Sequence, residues 1–219
     1  MLRLLDARTG ERAEVTPARP GLLLVCAHVL TDDAGLDLSA ARVLLVADLL
    51  ARTAEMRGLQ AMTFVFDGGE PAGHALREGA HPQPSRGIAG TAWSQAGERH
   101  GDPLAVRLAL MALPYHEPAA ITPDELPAAS RTLVLWRHRV AAWAESPSRP
   151  MPARTAAAFR EAFELLDTGR VLAVLRDLAP DGAAQDSQAV PAGARFETFV
   201  YADRILGLDL ARDIGQARG

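Results

Sequence analysis

The polar residues best suited to bind a ligand lie at the end of one predicted strand, in the loop after it, and at the end of a second strand. An apolar run at residues 21–27 is typical of a strand buried on both faces of a parallel sheet. Open α/β sheets bind ligands at the carboxyl ends of their strands, where successive loops meet at one edge. The candidate ligand-binding residues at this edge are Cys26, His28, Thr31, Asp32, Asp37 and Asp67. A solvated, Asp-rich loop is the alternative interpretation of the same positions.

Cysteine and histidine usage limits the thiol and metal chemistry. Cys26 is the only cysteine, which excludes an internal disulfide and a zinc site built on several thiolates. Its position in an apolar strand predicts a buried, inert thiol rather than a reactive nucleophile. Histidines and carboxylates are scattered over residues 70–100 without the spacing of metal ligands. We therefore expect no metal and no cofactor, and the single cysteine fits a cytoplasmic protein.

The charged residues exclude several classes of function. All 23 basic residues are arginine, so the chain has neither a Walker A phosphate loop nor a Schiff-base lysine. The net charge is −4, and acidic and basic residues are spread evenly along the chain. This pattern argues against the basic face that nucleic-acid binding requires. No apolar run approaches the roughly 20 residues of a membrane span, and charges near the start argue against a signal peptide.

The elements that would position the candidate residues form a βαβ unit. The strand at 21–27 is followed by a predicted helix at 38–57, which ends before Gly58, and by a second strand at 60–66. The two strands should be parallel, because a helix-length crossover joins them, and the crossover should be right-handed. A hairpin is predicted upstream, at residues 2–17.

The second half of the chain has the periodicity of helices. The predicted helices span residues 102–113, 128–144, 152–166, 170–178 and 194–206. Thr122 and Glu125 match a capping box. Pro127 lacks the N–H that a helix interior needs, so the short helix that begins at this box is expected to end there.

These patterns predict an α/β plus α fold in three segments. Residues 1–68 form a truncated, Rossmann-like parallel βαβ unit, of the type that binds nucleotides. Residues 69–101, rich in glycine and proline, form an irregular connection. Residues 102–219 form an antiparallel helical bundle with short links.

Four motifs along the chain have the order found in a known family. They are Asp48-Leu49-Leu50-Ala51-Arg52, Asp102-Pro103-Leu104-Ala105-Val106-Arg107-Leu108-Ala109-Leu110, Leu133-Val134-Leu135-Trp136-Arg137 and Leu166-Asp167-Thr168-Gly169-Arg170-Val171-Leu172. Together with the strand that contains Val25-Cys26, they resemble cysteinyl-tRNA synthetases, which are class I aminoacyl-tRNA synthetases, and the related mycothiol cysteine ligase. The resemblance covers roughly residues 1–68 and 100–215, and the Asp102–Leu110 motif is its most specific part.

The resemblance implies the ancestry of a ligase without its chemistry. Members of the family activate cysteine with ATP, and their zinc holds the substrate thiol. Their H-x-G-H signature falls on residues 37–40, where Asp37 would repel a triphosphate. Their lysine-rich loop cannot exist in a chain without lysine, and Cys26 alone corresponds to a zinc ligand. We therefore expect a catalytically degenerate member of the family, with no catalytic residues.

Binding is the predicted function, to a protein partner or to a small amino-acid-like ligand. The first alternative is a repurposed cysteine-dependent ligase or transferase that uses Asp37, Asp32 and His28. The second is an RNA-binding fragment that uses the helical bundle. The arginines that would contact RNA are Arg131, Arg137 and Arg139. A homodimer or a complex with another protein is expected, because apolar strands with open edges seek partners.

Overall fold

The structure is a computed structural model that describes residues 2–6, 9–29, 38–67, 102–117, 120–180 and 190–216. Within these residues the chain contains four strands and six helices. The strands are β1 (Arg3–Leu5), β2 (Arg12–Glu14), β3 (Leu22–Val29) and β4 (Gln60–Asp67). The helices are α1 (Leu38–Glu55), α2 (Pro103–Met111), α3 (Glu125–Trp143), α4 (Ala153–Glu164), α5 (Thr168–Leu178) and α6 (Ala192–Leu206). The fold is therefore mixed α/β, and the predicted connection at 69–101 lies outside the described residues.

The predicted βαβ arrangement of strand, helix and strand is confirmed. Strands β3 and β4 are parallel, in register from Leu22 opposite Gln60 to Val29 opposite Asp67. Helix α1 joins them, and the turn after it passes through Gly58 with φ of +79°, a conformation that favours glycine. The predicted hairpin is also present, with β1 and β2 paired antiparallel.

The prediction that the sheet is buried on both faces is wrong. In β3 the odd-numbered residues Leu23, Val25, Ala27 and Val29 are buried against α1. Leu24 and Cys26, which alternate with them, are exposed. Residues 22–27 are apolar on both sides of the strand, so their composition could not show which side would be exposed. The alternation of burial is that of a sheet covered on one face.

Helix α1 packs on two sides and joins the sheet to the helices. Ala40, Leu44 and Ala47 contact the sheet in one apolar cluster. Ala41, Leu45 and Leu49 belong to the other cluster, which is the core of the helical region. This explains the wide apolar surface of α1, because a helix between two layers needs two buried stripes.

The helices predicted from periodicity in the second half of the chain each bury one apolar stripe. The buried stripe residues are Leu133, Trp136, Val140, Trp143, Phe159, Phe163, Leu166, Val171, Leu175 and Leu178. Helix α2 is buried along its length from Ala105 to Met111. The Asp102 side chain caps it by accepting a hydrogen bond from Leu104 N at 2.9 Å. None of the helices in the described part is both long enough and apolar enough to cross a membrane.

The expected break at Pro127 is wrong. Helix α3 starts at Glu125 and continues through Pro127 to Trp143. Pro127 is therefore in the first turn, where backbone N–H groups have no partner within the helix and a proline costs little. The Glu125 carboxylate still reaches back to Thr122 N at 2.5 Å, which is one half of the predicted capping box.

A charged network fastens α1 to α2 and to the end of α6. Arg107 Nη2 donates to Asp48 Oδ2 at 2.5 Å, and Arg107 Nε donates to the Leu206 carbonyl at 2.6 Å. Arg52 Nε lies 2.9 Å from the same Asp48 oxygen. Gly207 ends α6 with φ of +61°, and a Cβ there would approach the two guanidinium groups to 3.1–3.2 Å. Two residues of the quoted motifs, Asp48 and Arg107, thus have a structural role in this chain.

Candidate functional site

The carboxyl edge of the parallel sheet holds three of the six candidate residues within the described part of the chain. Cys26 and His28 lie near the end of β3, and Asp67 ends β4 in register with Val29. Thr31, Asp32 and Asp37 lie outside the described residues. The structure therefore shows the strand ends of the predicted site but not its loop.

Alternate residues of the two strands form the face of this sheet opposite α1, which no helix or strand of the described residues covers and which we call the open face. Its described members are Leu22, Leu24, Cys26, His28, Gln60, Met62, Phe64 and Phe66. Leu24 is 39% exposed and is the only large apolar side chain among the described members of this face that is exposed rather than half-buried. None of these residues is formally charged at neutral pH with histidine neutral. The open face is therefore an apolar surface with one thiol and one imidazole.

His28 is the most distinctive polar group of the open face. Its ring stacks on Phe66, with centroids 4.9 Å apart and an interplanar angle of 11°. Its Nε2 is buried and has no hydrogen-bond partner in the part of the chain that the structure describes. A buried polar atom without a partner costs free energy that a bound group could recover. His28 is thus suited to contact a ligand or a partner that supplies one hydrogen bond.

The interpretation of Cys26 as a buried residue is wrong. The side chain is on the exposed side of β3, although partial desolvation still raises the pKa of the thiol. A raised pKa keeps the sulfur protonated at neutral pH, and the protonated form is the weaker nucleophile and metal ligand. Cys26 therefore contributes surface rather than thiolate chemistry.

The zinc site that the resemblance implies does not fit the residues that the structure describes. No three residues among the His, Cys, Asp and Glu of the described ranges are close enough to hold a metal ion together. Cys26 thus has no companion ligands there, whereas zinc in a protein requires three or four. We derive no chemical step through zinc.

Two of the three arginines suggested for RNA binding are engaged elsewhere. The Arg137 side chain is buried and donates to the Leu208 and Asp209 carbonyls at 2.8 and 3.0 Å. Arg139 donates to the Pro180 carbonyl at 3.1 Å. Arg131 remains exposed on α3. These contacts show that Arg137 and Arg139 fix loop backbone, which weakens the RNA alternative.

The aromatic half of the open face was not among the residues predicted from the sequence. Phe66 stacks on His28, and Phe64 lies in register with Cys26. The alternation of Met62, Phe64 and Phe66 was the available signal, because residues two apart in a strand share one face.

No protein-family model matches the sequence, and no curated protein matches it.

Proposed function

We propose that this chain is a catalytically degenerate relative of the cysteinyl-tRNA synthetases and mycothiol cysteine ligases, and that it acts as a binding or accessory protein. The βαβ unit would then be a truncated remnant of a Rossmann-like domain. The absence of lysine and the aspartate at position 37 support the loss of ATP chemistry. Asp48 and Arg107 belong to two of the motifs shared with this family, and they bond each other. This contact supports the proposal that the shared motifs now stabilise the fold.

The observation that carries this proposal is the open face. Leu24 is exposed, and Met62, Phe64 and Phe66 of the neighbouring strand are half-buried on the same side of the sheet. In the described part of the chain β3 and β4 pair with each other and with no third strand. Uncovered apolar faces of this kind mark interaction surfaces.

The partner that we propose is a second copy of the same chain. In a two-fold contact each residue faces the same patch, so a charged patch would repel itself. The described residues of the open face carry no formal charge, and self-association therefore has no such cost. Pairing two open faces would also cover the half-buried His28–Phe66 stack.

Light scattering with two matched variants tests the partner. We expect the wild-type chain to be a dimer at tens of micromolar, and Leu24→Glu to be a monomer with an unchanged circular-dichroism spectrum. Val134→Glu is the control, because Val134 is a large apolar residue on α3 that is 65% exposed. It should leave the dimer intact. A monomeric wild-type chain, or equal effects of both variants, would contradict the proposed dimer.

Cysteine-dependent exchange of pyrophosphate into ATP tests the loss of catalysis. We expect no exchange above a buffer control. Clear exchange that disappears in Asp37→Ala would refute the degenerate assignment, because it would show that the region of the missing signature still activates cysteine.

A small-ligand site is the second candidate, favoured by the unpartnered His28 Nε2 at the carboxyl edge. A thermal-shift screen with ATP, cysteine and a non-hydrolysable cysteinyl-adenylate analogue tests it. A shift with one of these compounds that His28→Ala abolishes would support the site. No shift with any of them would leave the protein-partner function as the whole proposal.

A further inference from the structure

A cleft near the carboxyl end of α1, away from the carboxyl edge of the sheet, has the features of a separate ligand site. Its volume is about 300 Å³, the lower limit of typical small-molecule pockets. The lining residues are Thr53, Met56, Arg57, Arg160, Phe163, Glu164, Tyr201 and Ile205. They come from the end of α1, the end of α4, and α6. Thr53 is 15 residues beyond Leu38, about 22 Å along the helix axis, so this α1–α4–α6 cleft is distinct from the carboxyl edge of the sheet.

The base of the cleft is apolar and well fixed. Phe163 and Ile205 are buried. The Tyr201 ring stacks on Phe159, with an interplanar angle of 8° and a centroid distance of 6.3 Å. Such packing holds the walls in place, and a preformed apolar base with a few polar groups is the usual form of a small-molecule site.

Thr53 supplies a buried polar group without a partner. The residue is 1% exposed, and its Oγ1 makes no hydrogen bond within the described residues. Threonines in helices commonly donate to the carbonyl one turn back, as Thr198 does to Ala194 at 2.7 Å. A ligand oxygen in the cleft would satisfy the Thr53 hydroxyl, which would otherwise cost free energy.

The rim of the cleft carries two guanidinium groups and one carboxylate. Arg57 Nη2 and Glu164 Oε1 are 4.0 Å apart, which is too far for a hydrogen bond, so the guanidinium keeps donors for another acceptor. Arg160 is exposed and makes no ion pair with any described residue. The carboxyl ends of α1 and α4 add about half a unit of negative charge each, so together with Glu164 they bring the balance at the rim close to neutral. An anion is favoured by hydrogen bonding instead, because the two guanidinium groups are donors only and Arg160 has no ion pair with a described residue.

We propose that the α1–α4–α6 cleft binds a small carboxylic acid with an apolar body. The carboxylate would accept hydrogen bonds from Arg160 and Arg57 and reach the Thr53 hydroxyl. The apolar body would lie on Phe163, Ile205 and Met56. Guanidinium groups are suited to this contact because their planar array of donors matches a carboxylate.

Three ligands with the same body test the charge preference. Phenylacetate, phenylacetamide and phenethylamine fit the same volume and differ in their head group. We expect nuclear magnetic resonance titrations of the full chain to give phenylacetate at least a tenfold smaller dissociation constant than either of the others. Tighter binding of the amine would show that Glu164 and the helix ends dominate and would overturn the proposal. No binding of phenylacetate at 20 mM would overturn it as well.

Three variants locate the site. Arg160→Gln should weaken phenylacetate binding about tenfold, whereas Arg154→Gln, an exposed arginine earlier on α4 that does not line the cleft, should not change it. Thr53→Val should also weaken binding, while the folded chain keeps or gains thermal stability. Equal effects of Arg160→Gln and Arg154→Gln would place binding elsewhere and refute the assignment. Because none of these residues lies on the open face, failure here leaves the dimer proposal untouched.

Discussion

Removing Asp48 should cost far more stability than removing an exposed acid. Its carboxylate is the counter-ion of Arg107, whose side chain is only 4% exposed. Burial lowers the pKa of the Arg107 guanidinium, and the attraction of Asp48 counteracts that loss of hydration. Breaking a buried pair from one side leaves an uncompensated charge, typically at about 3–5 kcal/mol.

The structure places Asp48→Ala near the lower end of that range. Asp48 is itself 18% exposed, and Arg107 keeps its bond to the Leu206 carbonyl. The second partner, Arg52, is 39% exposed and should contribute only about 0.3–0.5 kcal/mol. We therefore expect Asp48→Ala to lower the free energy of unfolding by about 3 kcal/mol. This is a large part of the stability of an ordinary domain.

Equilibrium unfolding in urea, followed by the fluorescence of the buried Trp136 and Trp143, measures this loss. Glu161→Ala is the control, because Glu161 pairs with Arg170 where the two side chains are 62% and 47% exposed. The control should change the free energy by no more than about 0.5 kcal/mol.

A double variant separates the cost of leaving the Arg107 charge unpaired from the cost of losing the packing of the two side chains. In Asp48→Ala with Arg107→Met neither charge of this pair remains, so the combined loss should be smaller than the sum of the two single losses. Additive losses would refute the reasoning. So would an Asp48→Ala variant whose stability lies within about 1 kcal/mol of wild type.

Three further predictions follow from single side chains. Thr53→Val should raise the free energy of unfolding by about 1 kcal/mol, whereas Thr198→Val should lower it, because only Thr198 has a hydrogen bond to lose; urea unfolding of both would show it. Burial raises the pKa of Asp203, although hydrogen bonds from two backbone N–H groups act to lower it. A carboxyl group whose pKa is raised on folding stabilises the fold fully below its unfolded-state pKa of about 3.9. That contribution is lost as pH rises through the folded-state pKa. The difference in unfolding free energy between wild type and Asp203→Asn should therefore fall over that window, and a flat or rising difference would contradict the assignment. Cys26, with its raised pKa, should react with iodoacetamide at pH 7 more slowly in the folded chain than in urea, and mass spectrometry at timed intervals would detect the opposite order.

The sequence by itself determined the order and type of the elements. An apolar run, a helix-length amphipathic segment and a second apolar run could only be read as a βαβ unit, and β3, α1 and β4 appear at those places. The apolar periodicity of residues 128–144 likewise predicted a helix, and its stripe of Trp136, Val140 and Trp143 is buried. Such signals are local, because periodicity and caps act over a few residues, and local signals survive without knowledge of the fold.

Tertiary structure decided which apolar surfaces would be covered and which polar residues would meet. Leu23 and Leu24 are the same residue type, so only the position of α1 could make Leu23 buried and Leu24 exposed. Pro127 does not break the helix, because the helix starts at Glu125 and the proline is therefore in its first turn.

The two candidate sites show the same division. His28 and Cys26 were identifiable because polar residues at a strand end are a local pattern, whereas the stacking of His28 on Phe66 required strand register. The cleft residues Thr53, Arg160 and Tyr201 lie on three helices far apart in the chain. Their proximity comes from how α1, α4 and α6 pack, which depends on interactions between distant segments that no window of sequence contains.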